Sequence, residues 1–234
     1  MQVPSDSKNL INQTRTSTLI GILLALFGFL LTHVWELVTG LTVGSVGVAV
    51  LKWMLVAGIV LIVLVFEQES LASIGVTRPD RWDVVTGIMI FVLGVLSIGI
   101  LTPIVDSLGF STAPFGGDQT GGVDRTATAL LVGLLIGVTA GITEEILYRG
   151  YALERLETLT GSTWIAATVT AFLFVVVHFG GHSFGALLII TPLTVFLTIG
   201  YVWRRNIFVP MIGHVILNGL WQSVTLLMLV FGSL

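Results

Sequence analysis

The chain has 234 residues, of which 55% are hydrophobic and 10% charged, with a net charge of −3 and no cysteine; its mean hydropathy is +1.03. A soluble domain carries about 25% charged residues, so this composition excludes an ordinary soluble globule and points to a chain that crosses a membrane repeatedly as one compact bundle. The small net charge gives no footprint for nucleic acid, and the lack of cysteine excludes disulfides, thiolate metal sites and cysteine nucleophiles.

The polar start MQVPSDSKNLINQTRTS lacks the basic region, short apolar core and cleavage site of a signal peptide, so the first apolar segment reads as a retained transmembrane helix. A spanning helix needs about 20 apolar residues. On that rule helices fall near 17–38, 46–66, 84–105, 127–157, 161–179, 184–203 and 207–232. The fold class expected is an all-α, polytopic transmembrane bundle of seven spans, or eight if the last helix breaks near Gly219. The fourth helix is too long to be wholly immersed. Its tail LYRGYALERLETL, with Arg149, Glu154, Arg155 and Glu157, is expected to leave the membrane while still helical. The chain divides into N-terminal helices and an acidic, glycine-rich loop (1–126), a segment carrying the polar motifs (127–220), and the end of the last helix (221–234).

Charge placement sets the expected orientation. Lys8, Arg15, Arg78, Arg81, Arg149, Arg155, Arg204 and Arg205 fall on one side if the N-terminus is cytoplasmic, which is eight of the ten basic residues and a positive-inside bias. Arg125 sits in an outer loop and Lys52 lies within the second span. The loop DSLGFSTAPFGGDQTGGVD (106–124) has the turn composition of a flexible external connector. VTRPDRWD (76–83) reads as a cytoplasmic loop entering a helix, with Trp82 at the interface.

Three polar features interrupt the apolar helices. A charge at mid-bilayer costs about 2.5–3.5 kcal/mol on insertion scales, so the adjacent Glu144 and Glu145 in GITEEILYRG must be paired, neutralised or facing water. Glu145 and Arg149 are one turn apart and share a face. Glu144 is rotated about 100° away and is free to face the bundle centre. In FLFVVVHFGGH, His178 closes an apolar segment with Phe174 one turn earlier, and Gly180-Gly181 follow as a break. In VPMIGHVILNGLW, His214 and Asn218 share a face, and Pro210 suits the first turn of its helix. His182 and His33 read as structural residues.

Depth allows the three features to meet. Glu144 precedes the turn near 158–161 by about 14 residues and His178 follows it by about 17, roughly 21 and 26 Å at 1.5 Å per residue. His214 lies roughly 13 Å beyond Arg205 by the same measure. If the fourth helix projects from the membrane, all three converge in the cytoplasmic half.

A carboxylate and a histidine together activate water as a general base, while a second histidine and an asparagine amide donate to a developing oxyanion. That set suffices to hydrolyse an amide without a covalent intermediate. A zinc reading uses His178, His214 and a glutamate, although no HExxH stretch is present. Buried Glu and His also mark ion pathways, but the polar residues are confined to the C-terminal half, without the paired repeats common in transporters. A non-catalytic scaffold with the same bundle is the remaining reading.

EEILYR, FVVVH and HVILN, read as EExxxR, FxxxH and HxxxN in this order on separate helices, resemble the CaaX protease and bacteriocin-processing (ABI) family of intramembrane endopeptidases. The stretch IGYVWRRNIFVPMIGHVILNGL is similar to that family's approach to its last histidine. The resemblance covers roughly 127–220, which it casts as the catalytic core. It implies an endopeptidase whose site lies inside the membrane and opens toward the cytoplasm. Glu144 would activate water with His178 as partner, His214 and Asn218 would bind the oxyanion, Glu145 and Arg149 would orient and support Glu144, and Phe174 would support the site. The implied partners are membrane lipid and a peptide or protein substrate, which in eukaryotic members is a prenylated CaaX protein trimmed of its last three residues. The family has carried the label metalloprotease. Asparagine is a poor ligand and a good oxyanion donor, which favours a mechanism without cofactor or metal, with zinc as the alternative.

Overall fold

The structure, a computed structural model, describes residues 5–112, 127–179 and 182–231, with side chains described over 14–112, 131–179 and 182–220. Most of loop 106–124 and the Gly180-Gly181 break, both singled out from the sequence, lie outside the described residues.

Every apolar segment expected from the sequence is helical. Helix α1 (Ser5–Phe27) continues through a 3-10 turn into α2 (Leu31–Thr39). Helix α3 (Ser45–Leu61) ends in a π-helical turn (Ile62–Phe66), and α4 covers Arg81–Ser107. Helix α5 (Ala127–Glu145) passes through a π-helical segment (Ile146–Leu153) into α6 (Glu154–Thr160). Helices α7 (Thr163–Val176), α8 (Phe184–Arg204) and α9 (Phe208–Phe231) complete the bundle. Among the described residues there is no β-strand; the one isolated bridge joins Phe179 and His182.

Five helical stretches in the described residues are long and apolar enough to cross a membrane: Thr14–Thr39, Ser45–Phe66, Arg81–Ser107, Leu131–Thr160 and Phe184–Arg204. Helix α7 (Thr163–Val176) and the part of α9 whose side chains are described, Phe208–Leu220, are shorter apolar helices. Helix α9 itself runs unbroken past Gly219 to Phe231. Its 24 residues therefore form one helix and not two. Large apolar side chains such as Leu37, Leu96, Phe172 and Trp203 stand exposed on the outer faces. So much exposed apolar surface has lipid as its natural solvent, and the chain is an integral membrane protein.

Local chemistry fixes the ends of the helices. Asp80 caps α4 by accepting from the backbone N–H groups of Trp82 and Asp83, and the Asp80 N–H in turn donates to the Asp83 carboxylate. This capping box leaves Trp82 exposed at the helix start. Helix α6 stops at Gly161, whose φ of +69° suits a residue without a Cβ.

The turn between α8 and α9 decides where the last histidine sits, and ion pairs pin it. Arg205 adopts φ +51°, a left-handed conformation that costs a non-glycine residue roughly 1–2 kcal/mol. Its guanidinium is held by Glu154 and Glu157 of α6 at 2.6–3.0 Å. Arg204 binds Asp80 and Asp83, and Asn206 donates to the same Asp83 at 2.9 Å. The Ile207 N–H bonds the Gly75 carbonyl at 2.8 Å. Three consecutive side chains, Arg204, Arg205 and Asn206, thus lock the start of α9 to α4 and α6.

Candidate active site

The entry point of α9 accounts for the depth of His214. A Cβ on Gly150 would lie 3.5 Å from Ile207 and 3.0 Å from the Ile74 carbonyl, so Ile207 stands at the level of Gly150. Gly150 is ten residues short of Thr160, or about 15 Å, and His214 is seven residues, about 10 Å, beyond Ile207. Glu144 is sixteen residues, about 24 Å, from Thr160. These depths agree because α5 and α6 extend well past the start of α9, as the sequence reading requires.

Helices α5 and α9 approach closely because glycine lines their contact. A Cβ on Gly141 would lie 2.7 Å from Val215 Cγ2 and 3.0 Å from its backbone nitrogen, and one on Gly137 would lie 3.1 Å from Asn218 Cβ. Small residues at four-residue spacing let helix backbones meet in a membrane. The closeness lets the Asn218 side-chain amide donate to the Gly137 carbonyl at 3.0 Å.

The glutamates come at the end of α5, immediately before the π-helical segment. Departures from α-helical winding often mark functional positions, and here the wider turn carries Tyr148 and Arg149 inward. Glu145 and Arg149 are both fully buried. Arg149 Nη1 donates to Glu145 Oε1 at 3.0 Å, as the spacing predicted. The same oxygen accepts from His214 Nδ1 at 2.7 Å. Glu145 Oε2 is buried without a hydrogen-bond partner. The guanidinium also reaches Thr198 Oγ1 and the Thr194 carbonyl at 3.4 and 3.5 Å, and lies 4.3 Å over the Phe174 ring as a cation–π contact.

Phe174 is the hub. Its ring centroid lies 4.7 Å from that of His178, 6.4 Å from that of His214 and 5.0 Å from that of Tyr148. Tyr148 is anchored by its hydroxyl, which donates to the Leu26 carbonyl at 2.8 Å. His178 Nδ1 lies 2.6 Å from the Phe174 carbonyl. A carbonyl only accepts, so Nδ1 carries the proton and a neutral His178 presents its Nε2 lone pair. The Glu145 carboxylate, already bound by Arg149, likewise places the Nδ1 proton on His214.

Glu144 differs from its neighbour in partner and direction. Lys52 of α3 donates to Glu144 Oε1. Helix α3 is registered against α5 by a hydrogen bond from Trp53 Nε1 to Thr139 Oγ1 at 3.3 Å. Glu144 and His178 lie within electrostatic reach of each other, and each lies within reach of Lys52 and His214.

The structure thus brings together Glu144, Glu145, Arg149, Phe174, His178 and His214, with Asn218 one turn beyond His214 on α9. Two features depart from the sequence reading. The support expected for Glu144 from Glu145 and Arg149 goes instead to His214, and Lys52 is the partner Glu144 has. Arg149, counted among the basic residues of one membrane side, is buried in the bundle. His182, read as structural, packs edge-on against His178 with ring centroids 5.1 Å apart. Both Nδ1 atoms are held by protein acceptors, an arrangement that also orients metal-ligating histidines, while among the described residues no three His, Cys, Asp or Glu side chains are grouped to hold a metal ion.

Residues 126–220 match the model of the Rce1-like family, described as type II CAAX prenyl endopeptidase Rce1-like, which is consistent with the CaaX protease and bacteriocin-processing family that the motifs resemble. No curated protein and no solved structure matches the chain.

Proposed function

We propose that the protein is a CAAX prenyl endopeptidase-like protease that hydrolyses its peptide bond with a water activated at Glu144. The observation that carries this reading is the convergence of Glu144, His178, His214 and the Glu145–Arg149 pair around Phe174, within the stretch that matches the family. Glu144 Oε2 makes no hydrogen bond to the described residues and is open to a water, whose second contact is His178 Nε2. Glu144 takes a proton from that water as its oxygen bonds the scissile carbonyl carbon. The proton then passes to the leaving amine as the C–N bond breaks.

The developing oxyanion is met by His214 and Asn218. With its Nδ1–H bonded to Glu145, His214 donates through Nε2 when that nitrogen also carries a proton, and the Glu145 carboxylate then stabilises the cation as the acidic member of a triad does. Asn218 uses one amide N–H on Gly137 and keeps the other. No step calls for a metal or other cofactor.

The match to the Rce1-like family supports a substrate of the prenylated CaaX type, a membrane-associated protein or peptide cut near its C-terminus on this reading. Arg78 and Arg81 before α4 and Arg204 and Arg205 at the α8–α9 turn support a cytoplasmic N-terminus and a site reached from the cytoplasm, and we place the protein in the plasma membrane. Asn218→Ala tests the oxyanion role: kcat for a CaaX peptide should fall about 10²–10³-fold with KM little changed. An unchanged kcat would remove Asn218 from the chemistry.

A further inference from the structure

Lys52 stands on α3, outside the stretch that matches the family, and is the one basic residue within the second apolar span. An ammonium in hydrocarbon is costly unless it is paired or reaches water. Lysines near helix ends often snorkel to the interface, but Lys52 does not. Its side chain is 17% exposed and that of Glu144 is 11% exposed, and its partner is Glu144 Oε1.

We propose that Lys52 is a positioning residue for the reaction: it holds Glu144 as an ionised carboxylate and turns Oε2 toward the bundle centre, a role that rests on the proteolytic reading above. The charges balance in pairs. Two adjacent carboxylates point different ways, and each has a cation of its own, Arg149 on Glu145 and Lys52 on Glu144. Without Lys52 the second carboxylate would be an uncompensated charge among apolar helices, which a buried site tolerates poorly. It would also be free to rotate about its side-chain bonds, because Oε1 has no other hydrogen-bond donor among the described residues.

The register that brings Lys52 to Glu144 is built in. The next residue on α3, Trp53, is tied to Thr139 of α5, and Thr143 Oγ1 bonds the Thr139 carbonyl at 2.7 Å, one residue before Glu144. An N-terminal helix thereby supplies a group that the three motifs of the C-terminal half do not contain.

The test compares wild type, Lys52→Met and Lys52→Arg, purified in detergent, for cleavage of a prenylated CaaX peptide, with thermal unfolding measured on each. Misplacement of a catalytic group by about 1 Å can cost on the order of 10²-fold. Lys52→Met should therefore lower kcat about 100-fold with KM within about twofold, while Lys52→Arg keeps kcat within about tenfold of wild type. Rescue by arginine separates a positional, charge-dependent role from packing, which methionine preserves better. Equal turnover by wild type and Lys52→Met, or a rise in KM alone, overturns the proposal and leaves the protease reading intact. Loss in both variants with a collapse of the unfolding temperature overturns it in favour of a structural ion pair. A wild type that cleaves nothing defeats the protease reading itself and the role of Lys52 with it.

Discussion

Glu145 Oε1 receives two hydrogen bonds at once, from Arg149 Nη1 on its own helix at 3.0 Å and from His214 Nδ1 on α9 at 2.7 Å. One buried carboxylate oxygen therefore couples the local EExxxR motif to the distant HxxxN motif. On the proposed mechanism the coupling gives Glu145 a role unlike that of Glu144: it orients a histidine rather than a water.

That division predicts different failures for the two glutamates. Glu144→Gln should abolish turnover with the bundle intact. Glu145→Gln should reduce turnover less and destabilise the protein more, because it leaves the fully buried Arg149 unpaired. Removing one partner of a buried ion pair costs about 3–5 kcal/mol. Cleavage rates and thermal unfolding of both variants in the same detergent check this, and equal retention of activity would break the assignment.

The α5–α9 contact predicts that Gly141→Ala is harmful although it is a small change in an apolar helix. The new methyl group would meet the Val215 side chain and backbone within about 3 Å. Backbone cannot yield as a side-chain end does, so the helices must part, at a cost of about 1–3 kcal/mol. His214 and Asn218 lie on either side of Val215, and turnover should fall with stability. A variant with unchanged kcat and unfolding temperature would contradict the close approach.

Acid stability should depend on Glu67, which follows the second span. Burial pushes its carboxyl up, but hydrogen bonds from Arg155, Thr18 and Tyr151 outweigh burial and hold it below the usual carboxylate range. The contacts include two from Arg155 at 2.9 and 2.7 Å. A carboxyl lowered in the folded state contributes stability above its unfolded pKa, about 4.3, and loses it as pH falls through the folded value. Glu67→Gln should therefore lower the unfolding temperature at pH 7 and flatten the decline below about pH 4.3. A mutant that melts as wild type does at both pH values would remove the pair from the stability of the bundle.

Much of this was legible in the sequence. Apolar run length located the helices, and four-residue spacing paired Glu145 with Arg149 and placed Phe174 beside His178. The length of the fourth helix foretold its projection beyond the α9 start. Lys52 was visible as a charge in a span but had no local partner, and the carboxylate it needed lies 92 positions away. Its cost was readable, since an unpaired lysine in hydrocarbon must find an acid, but nothing in one sequence chose Glu144 over Glu145. The Glu145–His214 bond was hidden for the same reason: periodicity reports faces within a helix, and only packing reports which faces meet.

Orientation is open to a clean labelling test because the chain has no cysteine. Arg78→Cys and Leu41→Cys place single thiols in loops at opposite ends of the second span, outside the site. Impermeant maleimide added to intact cells should label Leu41→Cys and reach Arg78→Cys only after lysis. The reverse pattern would invert the topology.

Chelation tests the chemistry without altering the protein. A water activated by Glu144 and His178 needs no metal, so a strong chelator should leave turnover within about twofold of the untreated enzyme. Loss of activity that only added zinc restores would replace that mechanism.

The most direct measurement is cleavage of a quenched-fluorescent farnesylated CaaX peptide by purified wild type beside Glu144→Ala. Cleavage by the wild type, with release of the C-terminal fragment confirmed by mass and none above background from the variant, is the expected result. Equal cleavage by both proteins would contradict the claim that Glu144 activates the attacking water.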